Sequence, residues 1–333
     1  MAYPASKQFS YIAQIGILIA FIGAGLIIGT FASIIPLLGK IDWGALMQGS
    51  SKNIMNDILK PENASVLRWM QFISTLFMIF LPAFFYAWVC HKKAFTHFGY
   101  NHQADAKEIG LVLVIMFAAM PLVAVLSDLT EMLPFSKATL LHFKQAEDEY
   151  NKEVSVIARM NNIWDYISSM VVIAFLPALF EETLFRGALQ NLLSRWTKMP
   201  ILSIVISAAI FSAVHGSYLG FLSRFVLGFI LGWFYYRTGN IWLNITGHFF
   251  NNALAVTALY ITTKPNVPSD PSQADTHFPL WIGLVSLAAV YGLLQLFDIV
   301  SKKDIDHPGE EVLITAYNDN PFLTDINNIG NSN

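Results

Sequence analysis

Eight runs of apolar residues, each close to the length that crosses the hydrocarbon core of a bilayer, dominate this chain. A helix needs about 20 such residues to cross. The runs lie near 11–38, 66–90, 109–127, 165–194, 200–216, 219–237, 240–262 and 278–300. The sequence therefore predicts an all-α fold, a polytopic membrane helical bundle of about eight transmembrane helices.

The composition agrees with this prediction. Of the 333 residues, 55% are hydrophobic and only 13% are charged, whereas soluble domains carry about 25% charged residues. The net charge of −3 is small and no block of like charges appears, so we expect no nucleic-acid partner. We expect an integral, multi-pass membrane protein, located in the plasma (cytoplasmic) membrane if the chain is bacterial.

Four segments are predicted along the chain. Residues 1–125 hold transmembrane helices one to three, and residues 165–300 hold helices four to eight. The segment 126–164 mixes apolar and charged residues and is predicted to be extramembrane, either an interfacial helix on the membrane surface or a solvated linker. The tail 301–333 is rich in Asn and Asp and is expected to be flexible. The density of Lys and Arg in the short loops places both termini in the cytoplasm.

Two adjacent glutamates, Glu181 and Glu182, stand where the fourth apolar run meets polar residues, and Arg186 follows one turn later. A charge at membrane depth costs about 2.5–3.5 kcal/mol on insertion scales, so such residues usually have a function. Glu182 and Arg186 are four residues apart and share a helix face, where they can neutralise each other. Glu181 points about 100° away. We therefore expect one structural ion pair and one carboxylate available for chemistry.

Two later helices add imidazole and carboxamide groups. Phe211 and His215 lie four residues apart in the fifth run, and His248 and Asn252 repeat that spacing in the seventh. A hairpin turn between the fourth and fifth helices would put Glu181 and His215 at one depth, each about 25 Å from the turn. His248 and Asn252 can both donate hydrogen bonds, which is what stabilising an oxyanion requires. Each residue alone has an ordinary structural explanation, but their combination favours catalysis.

The three motifs occur in the order EExxxR, FxxxH and HxxxN. In this order they resemble the signature of the CAAX-protease and bacteriocin-processing family of intramembrane endopeptidases, which is related to the type II CAAX prenyl protease and is also called the Abi or CPBP family. The resemblance covers residues 164–261, with the protease core at 181–252. It implies an eight-helix membrane fold with a cavity that opens into the bilayer.

The resemblance also implies roles for individual residues in a hydrolase. Glu181 and His215 would activate a water molecule, and His248 and Asn252 would stabilise the oxyanion at the scissile carbonyl. The residues that would support the site structurally are Glu182, Arg186 and Phe211. The implied reaction is hydrolysis of a peptide bond in a membrane-associated peptide or protein, including prenylated CAAX-type substrates. The expected partners are such a substrate and the lipid bilayer.

Three alternatives accompany this interpretation. No cofactor is expected, but Glu181, His215 and His248 are suitable zinc ligands that leave one position open for water. A non-proteolytic membrane scaffold or bacteriocin-immunity factor of the same family would use the same fold without cleavage. A proton-coupled transporter would also keep Glu and His in the membrane, but the chain has no internal repeat.

Overall fold

Helices account for all regular secondary structure in the residues that the computed structural model describes, which are 7, 9–40, 58–262 and 278–301. Apart from two short 3₁₀ turns, the helices are α1 (Tyr11–Ile34), α2 (Ala64–Cys90), α3 (Ala94–Phe98), α4 (Ala106–Glu131), α5 (Lys137–Ile157), α6 (Ile163–Thr197), α7 (Pro200–Ala213), α8 (Phe221–Thr238), α9 (Ile241–Thr262) and α10 (Leu280–Ser301).

Five of these helices, α1, α2, α4, α6 and α10, are long and apolar enough to cross a membrane. α7 is apolar but shorter, and α8 and α9 interleave polar with apolar side chains. All eight apolar runs are helical, so the predicted all-α membrane bundle of about eight helices is confirmed. α4 continues to Glu131, so the segment boundary predicted at 125 falls inside a helix. The predicted tail lies outside the described residues after Ser301.

α6 departs from regular α-helical geometry around the two glutamates. π-helical turns at Met170–Phe175 and Thr183–Gln190 flank the α-helical segment Leu176–Glu182. Pro177 lies at the start of that segment, where it cannot donate a backbone hydrogen bond and so favours an irregular turn before it. A π turn rotates the side chains that follow it, and such turns occur often at functional sites. The run of apolar residues predicts the helix but not this local geometry.

Two glycines let α8 approach α6 and α7 closely. A Cβ atom at Gly228 would lie 3.3 Å from Ala208, and one at Gly232 would lie 2.8 Å from atoms of Gln190 and Ile204. The carbonyl oxygen of Gly232 accepts a 2.9 Å hydrogen bond from Gln190 Nε2. Small residues four apart on α8 allow close helix packing, and side chains of α6 reach the backbone carbonyls of both glycines.

A separate buried polar cluster joins α1, α2 and α6 near the C-terminal end of α6. The guanidinium of Arg195 donates to Asn191 Oδ1 at 2.7 Å, to Gln14 Oε1 at 3.3 Å and to the Tyr86 hydroxyl at 3.4 Å. All four side chains are buried. The hydrogen bonds compensate for the removal of these groups from water, so the cluster can fix the positions of the three helices.

His97 of α3 borders this cluster and makes the stability depend on pH. Burial lowers the pKa of its imidazole well below the ordinary value of 6.5, and the neighbouring His91 and Arg195 lower it further. The folded protein keeps His97 neutral, while the unfolded chain binds a proton there below about pH 6.5. We therefore expect stability to fall as the pH drops from about 7 to about 5, with this group contributing at most about 1.4 kcal/mol per pH unit.

Thermal unfolding of the detergent-solubilised protein across this pH range measures the effect. A His97→Gln variant cannot be protonated at this position, so its melting temperature should depend less steeply on pH. An unchanged slope in the variant would assign the pH dependence to other groups.

Candidate active site

The carboxylate of Glu181 lies at the centre of the candidate site. Its Oε2 atom is 3.8 Å from Nε2 of His215 and 3.9 Å from Nε2 of His248. This oxygen is shielded from solvent and accepts no hydrogen bond within the described residues. The three side chains come from α6, from the turn that follows α7 and from α9. The hairpin geometry expected for α6 and α7 thus brings Glu181 and His215 to one depth.

His215 follows the last turn of α7. The chain turns at the next residue, Gly216, which has a positive φ of 68°. The Nδ1 atom of His215 lies 2.7 Å from the carbonyl oxygen of Phe211. A carbonyl oxygen only accepts, so Nδ1 carries a proton. In the neutral ring, Nε2 therefore presents a lone pair towards Glu181.

Glu182 connects α6 to the second imidazole. Its Oε1 atom accepts a hydrogen bond from Arg186 Nη1 at 2.7 Å and lies 2.8 Å from Nδ1 of His248. Both Glu182 and Arg186 are fully buried. The expected pair is therefore present, but no spacing in the sequence indicates that the same oxygen also contacts His248. This hydrogen bond fixes the orientation of the ring and leaves its Nε2 atom facing Glu181.

Phe211 packs among these polar groups. The centre of its ring lies 4.8 Å from the centre of the His215 ring and 5.8 Å from that of His248. The guanidinium carbon of Arg186 lies 4.8 Å from the same ring centre. The FxxxH spacing predicts the first contact, while the other two depend on how α6 and α9 approach α7. The ring therefore packs against both imidazoles and against the guanidinium of the ion pair.

A cavity of about 420 Å³ opens beside Glu181. Its wall is largely apolar, with Met116, Leu231 and Val256 among its residues. The charged side chains and the histidine and amide side chains of the wall belong to Gln71, Glu153, Glu181, His215, Arg224, His248, Asn251 and Asn252. Asn252 lies one turn beyond His248 on α9, as the HxxxN motif predicts. An apolar cavity with a few converging polar groups is typical of enzyme sites.

α5 forms one side of this cavity. Phe143 stacks on Tyr218 with ring centres 4.3 Å apart, and Glu147 Oε2 accepts a 2.6 Å hydrogen bond from Ser217 Oγ. Tyr150, nearly one turn further along α5, lines the cavity. The spacing of the three α5 residues puts them on one helix face. The sequence predicted an interfacial helix or a linker here, and neither alternative placed this segment against the site.

The zinc alternative concerns three side chains that do lie near one another. Among the described residues, no group of three His, Cys, Asp or Glu side chains has the arrangement of a metal site. The rings of His215 and His248 nevertheless both present Nε2 to the Glu181 carboxylate, while their Nδ1 atoms are hydrogen-bonded. Histidines that bind zinc are oriented in the same way. Zinc dependence therefore stays a prediction for a chelation experiment.

Residues 163–254 match the sequence model of a family described as type II CAAX prenyl endopeptidase, Rce1-like. This part of the chain is similar to that family. The match includes the EExxxR, FxxxH and HxxxN motifs, so the resemblance predicted from them is confirmed for this segment. With its long apolar helices and this match, the chain is an integral membrane protein.

One curated relative of the chain is the uncharacterized protein YpbD of Bacillus subtilis (strain 168). The two are 34% identical over 92 residues, which make up 26% of this chain and 44% of YpbD. The chain therefore spans less than half the length of that relative. No solved structure matches the chain.

Proposed function

We propose that this protein is an intramembrane endopeptidase that hydrolyses a peptide bond in a membrane-associated peptide or protein without a metal ion. The proposal depends on the environment of Glu181 Oε2. This oxygen is shielded from solvent and accepts no hydrogen bond in the described residues. It faces two imidazole nitrogens, at 3.8 and 3.9 Å. The Rce1-like match of residues 163–254 supports a protease rather than a transporter. The membrane would be the plasma membrane in a bacterium.

Glu181 and His215 can activate a water molecule between them. Their facing atoms are 3.8 Å apart, which exceeds a direct hydrogen bond, so a water that bridges them must part the two side chains slightly. Glu181 can act as the general base that takes a proton from this water as it attacks the substrate carbonyl.

His248 and Asn252 can stabilise the oxyanion that this attack creates. His248 can hold a positive charge because its Nδ1 atom faces the Glu182 carboxylate at 2.8 Å. With Arg186 paired to the same carboxylate and Glu181 ionised, the charges of the four groups sum to zero, which limits the cost of burying them. A protonated His248 presents Nε2–H towards the cavity, and the Asn252 amide on the same wall is a second donor.

The remaining step releases the amine. As the carbonyl re-forms, the bond between carbon and nitrogen breaks and the nitrogen needs a proton. Glu181 holds the proton that it took from water, and His215 lies close enough to relay it. No covalent intermediate is needed, because water is the nucleophile from the start.

The experiment that tests the proposal measures cleavage of quenched fluorescent peptides by the purified protein in liposomes. A prenylated CAAX-type peptide and the same peptide without the lipid would be compared, since the proposed substrate class is membrane-associated. We expect cleavage of the lipidated peptide, and we expect metal chelators to leave the rate unchanged. Cleavage of neither peptide would contradict this proposal in favour of a scaffold or immunity factor. Loss of activity on chelation that zinc restores would contradict the metal-free mechanism.

A further inference from the structure

The turn between α7 and α8, residues 214–220, carries His215 near its start. The next residue, Gly216, is exposed, and a Cβ atom built on it would have no neighbouring heavy atom within 4 Å. Packing on that side therefore does not hold the backbone beside His215. The distance from His215 to Glu181 nevertheless depends on where the turn lies, so contacts further along the turn must help to fix its position.

Two adjacent residues of this turn contact α5. The buried hydroxyl group of Ser217 donates a 2.6 Å hydrogen bond to Glu147 Oε2 and accepts one of 3.1 Å from the backbone N–H of Gly220. Tyr218 stacks on Phe143 with ring centres 4.3 Å apart. A hydroxyl that donates to a carboxylate over so short a distance makes a strong, charge-assisted bond. Ser217 therefore links the backbone of the turn to Glu147.

α5 is itself anchored to the bundle at its C-terminal end. The buried side chain of Arg68 on α2 donates to the carbonyl oxygen of Ile157 at 3.0 Å and to that of Arg159. It also donates to the Asp165 carboxylate at 3.3 Å. No residue of α5 is itself buried, so these polar contacts and the ring contacts determine where α5 lies. Through them, α5 can hold the turn in a fixed position relative to α2 and α6.

We propose that Glu147 is a positioning residue, which holds the turn through Ser217 so that Nε2 of His215 faces Glu181. This inference rests on the proposed function and adds a role for α5 in the chemical step. Glu147 and Ser217 are not among the residues that line the cavity, so we expect neither to contact the substrate. Loss of their hydrogen bond would let the turn move at Gly216, and His215 would move with it.

The test compares Glu147→Ala with Glu149→Ala by cleavage of the quenched lipidated peptide in liposomes. Both substitutions remove one carboxylate from α5, but Glu149 is exposed and points to the other side of the helix. Glu147→Ala should lower kcat about tenfold to a hundredfold, because a misplacement of about 1 Å can cost about 10²-fold. KM should change by less than about threefold, since no contact with the substrate is lost. Glu149→Ala should leave both constants within about threefold of the wild type.

Two further variants test whether the effect passes through this hydrogen bond. Glu147→Gln keeps an oxygen that can accept from Ser217, so its kcat should stay within about threefold of the wild type. Ser217→Ala should be at least as slow as Glu147→Ala, and the double variant should be no slower than Ser217→Ala alone. Losses that add in the double variant, or a Glu147→Gln variant as slow as Glu147→Ala, would overturn the proposed role of Glu147.

Hydrogen exchange measured without substrate separates this inference from the proposed function. In the detergent-solubilised protein, backbone amides of residues 214–220 should exchange about tenfold faster in Glu147→Ala than in the wild type or in Glu149→Ala. Faster exchange with no cleavage by the wild-type protein would support the contact of Glu147 with the turn and refute the protease. Exchange in Glu147→Ala that equals the wild type, or cleavage with an unchanged kcat, would overturn the positioning role while leaving the protease in place.

Discussion

Replacing Glu181 by Gln is expected to reduce kcat/KM for peptide cleavage about a thousandfold. The amide fills nearly the same space as the carboxylate, so the packing of α6 should not change, but it cannot take a proton from water. General bases contribute about 10²–10⁴-fold to such reactions. The effect should appear in kcat, because the proton is removed in the chemical step and not on binding. The measurement uses the quenched lipidated peptide in liposomes.

Glu153→Gln is the matched control for this prediction. Glu153 is another carboxylate on the wall of the same cavity, but its side chain is exposed and comes from α5 rather than from the helices that hold the imidazoles. Its replacement should change kcat/KM by less than about threefold, since exposed substitutions rarely alter an energy by more than about 0.5 kcal/mol. If Glu181→Gln and the wild-type protein cleave at the same rate, Glu181 is not the base.

The parts of this architecture that the sequence predicts are those that depend on local spacing. The length of an apolar run determines whether a helix can cross a bilayer, so all eight helices follow from composition along the chain. Residues four apart share a helix face, so the contact of Glu182 with Arg186 and the packing of Phe211 against His215 also follow. A hairpin fixes relative depth, which accounts for the approach of α6 to the end of α7.

The parts that the sequence does not predict depend on contacts between distant segments. The hydrogen bond from His248 to Glu182 joins α9 to α6, and no spacing within one helix indicates it. The position of α5 depends on contacts with the loop after α7, such as that between Phe143 and Tyr218. Arg224 lines the cavity but lies outside the three motifs. The sequence does distinguish it, because it is a single arginine near the start of an apolar run with no acidic residue one turn away.

Removing the guanidinium of Arg186 should destabilise the protein severely. An Arg186→Met substitution leaves the fully buried Glu182 carboxylate without its cationic partner. Breaking a buried ion pair from one side costs about 3–5 kcal/mol, because the remaining charge is uncompensated. We therefore expect a large drop in the melting temperature in detergent. In contrast, Lys144→Met breaks an exposed pair with Glu131 and should change stability by less than about 1 kcal/mol.

The double variant Glu182→Gln/Arg186→Met separates a structural role of the pair from a role in positioning His248. With both members of the pair removed, neither is left buried without its partner, so most of the lost stability should return. Activity should not return, because His248 then lacks the carboxylate that orients its ring and supports its positive charge. Thermal unfolding and kcat/KM measured on the same preparations provide both readouts. Recovery of activity together with stability would mean that Glu182 serves only the packing of α6, and that His248 acts without its help.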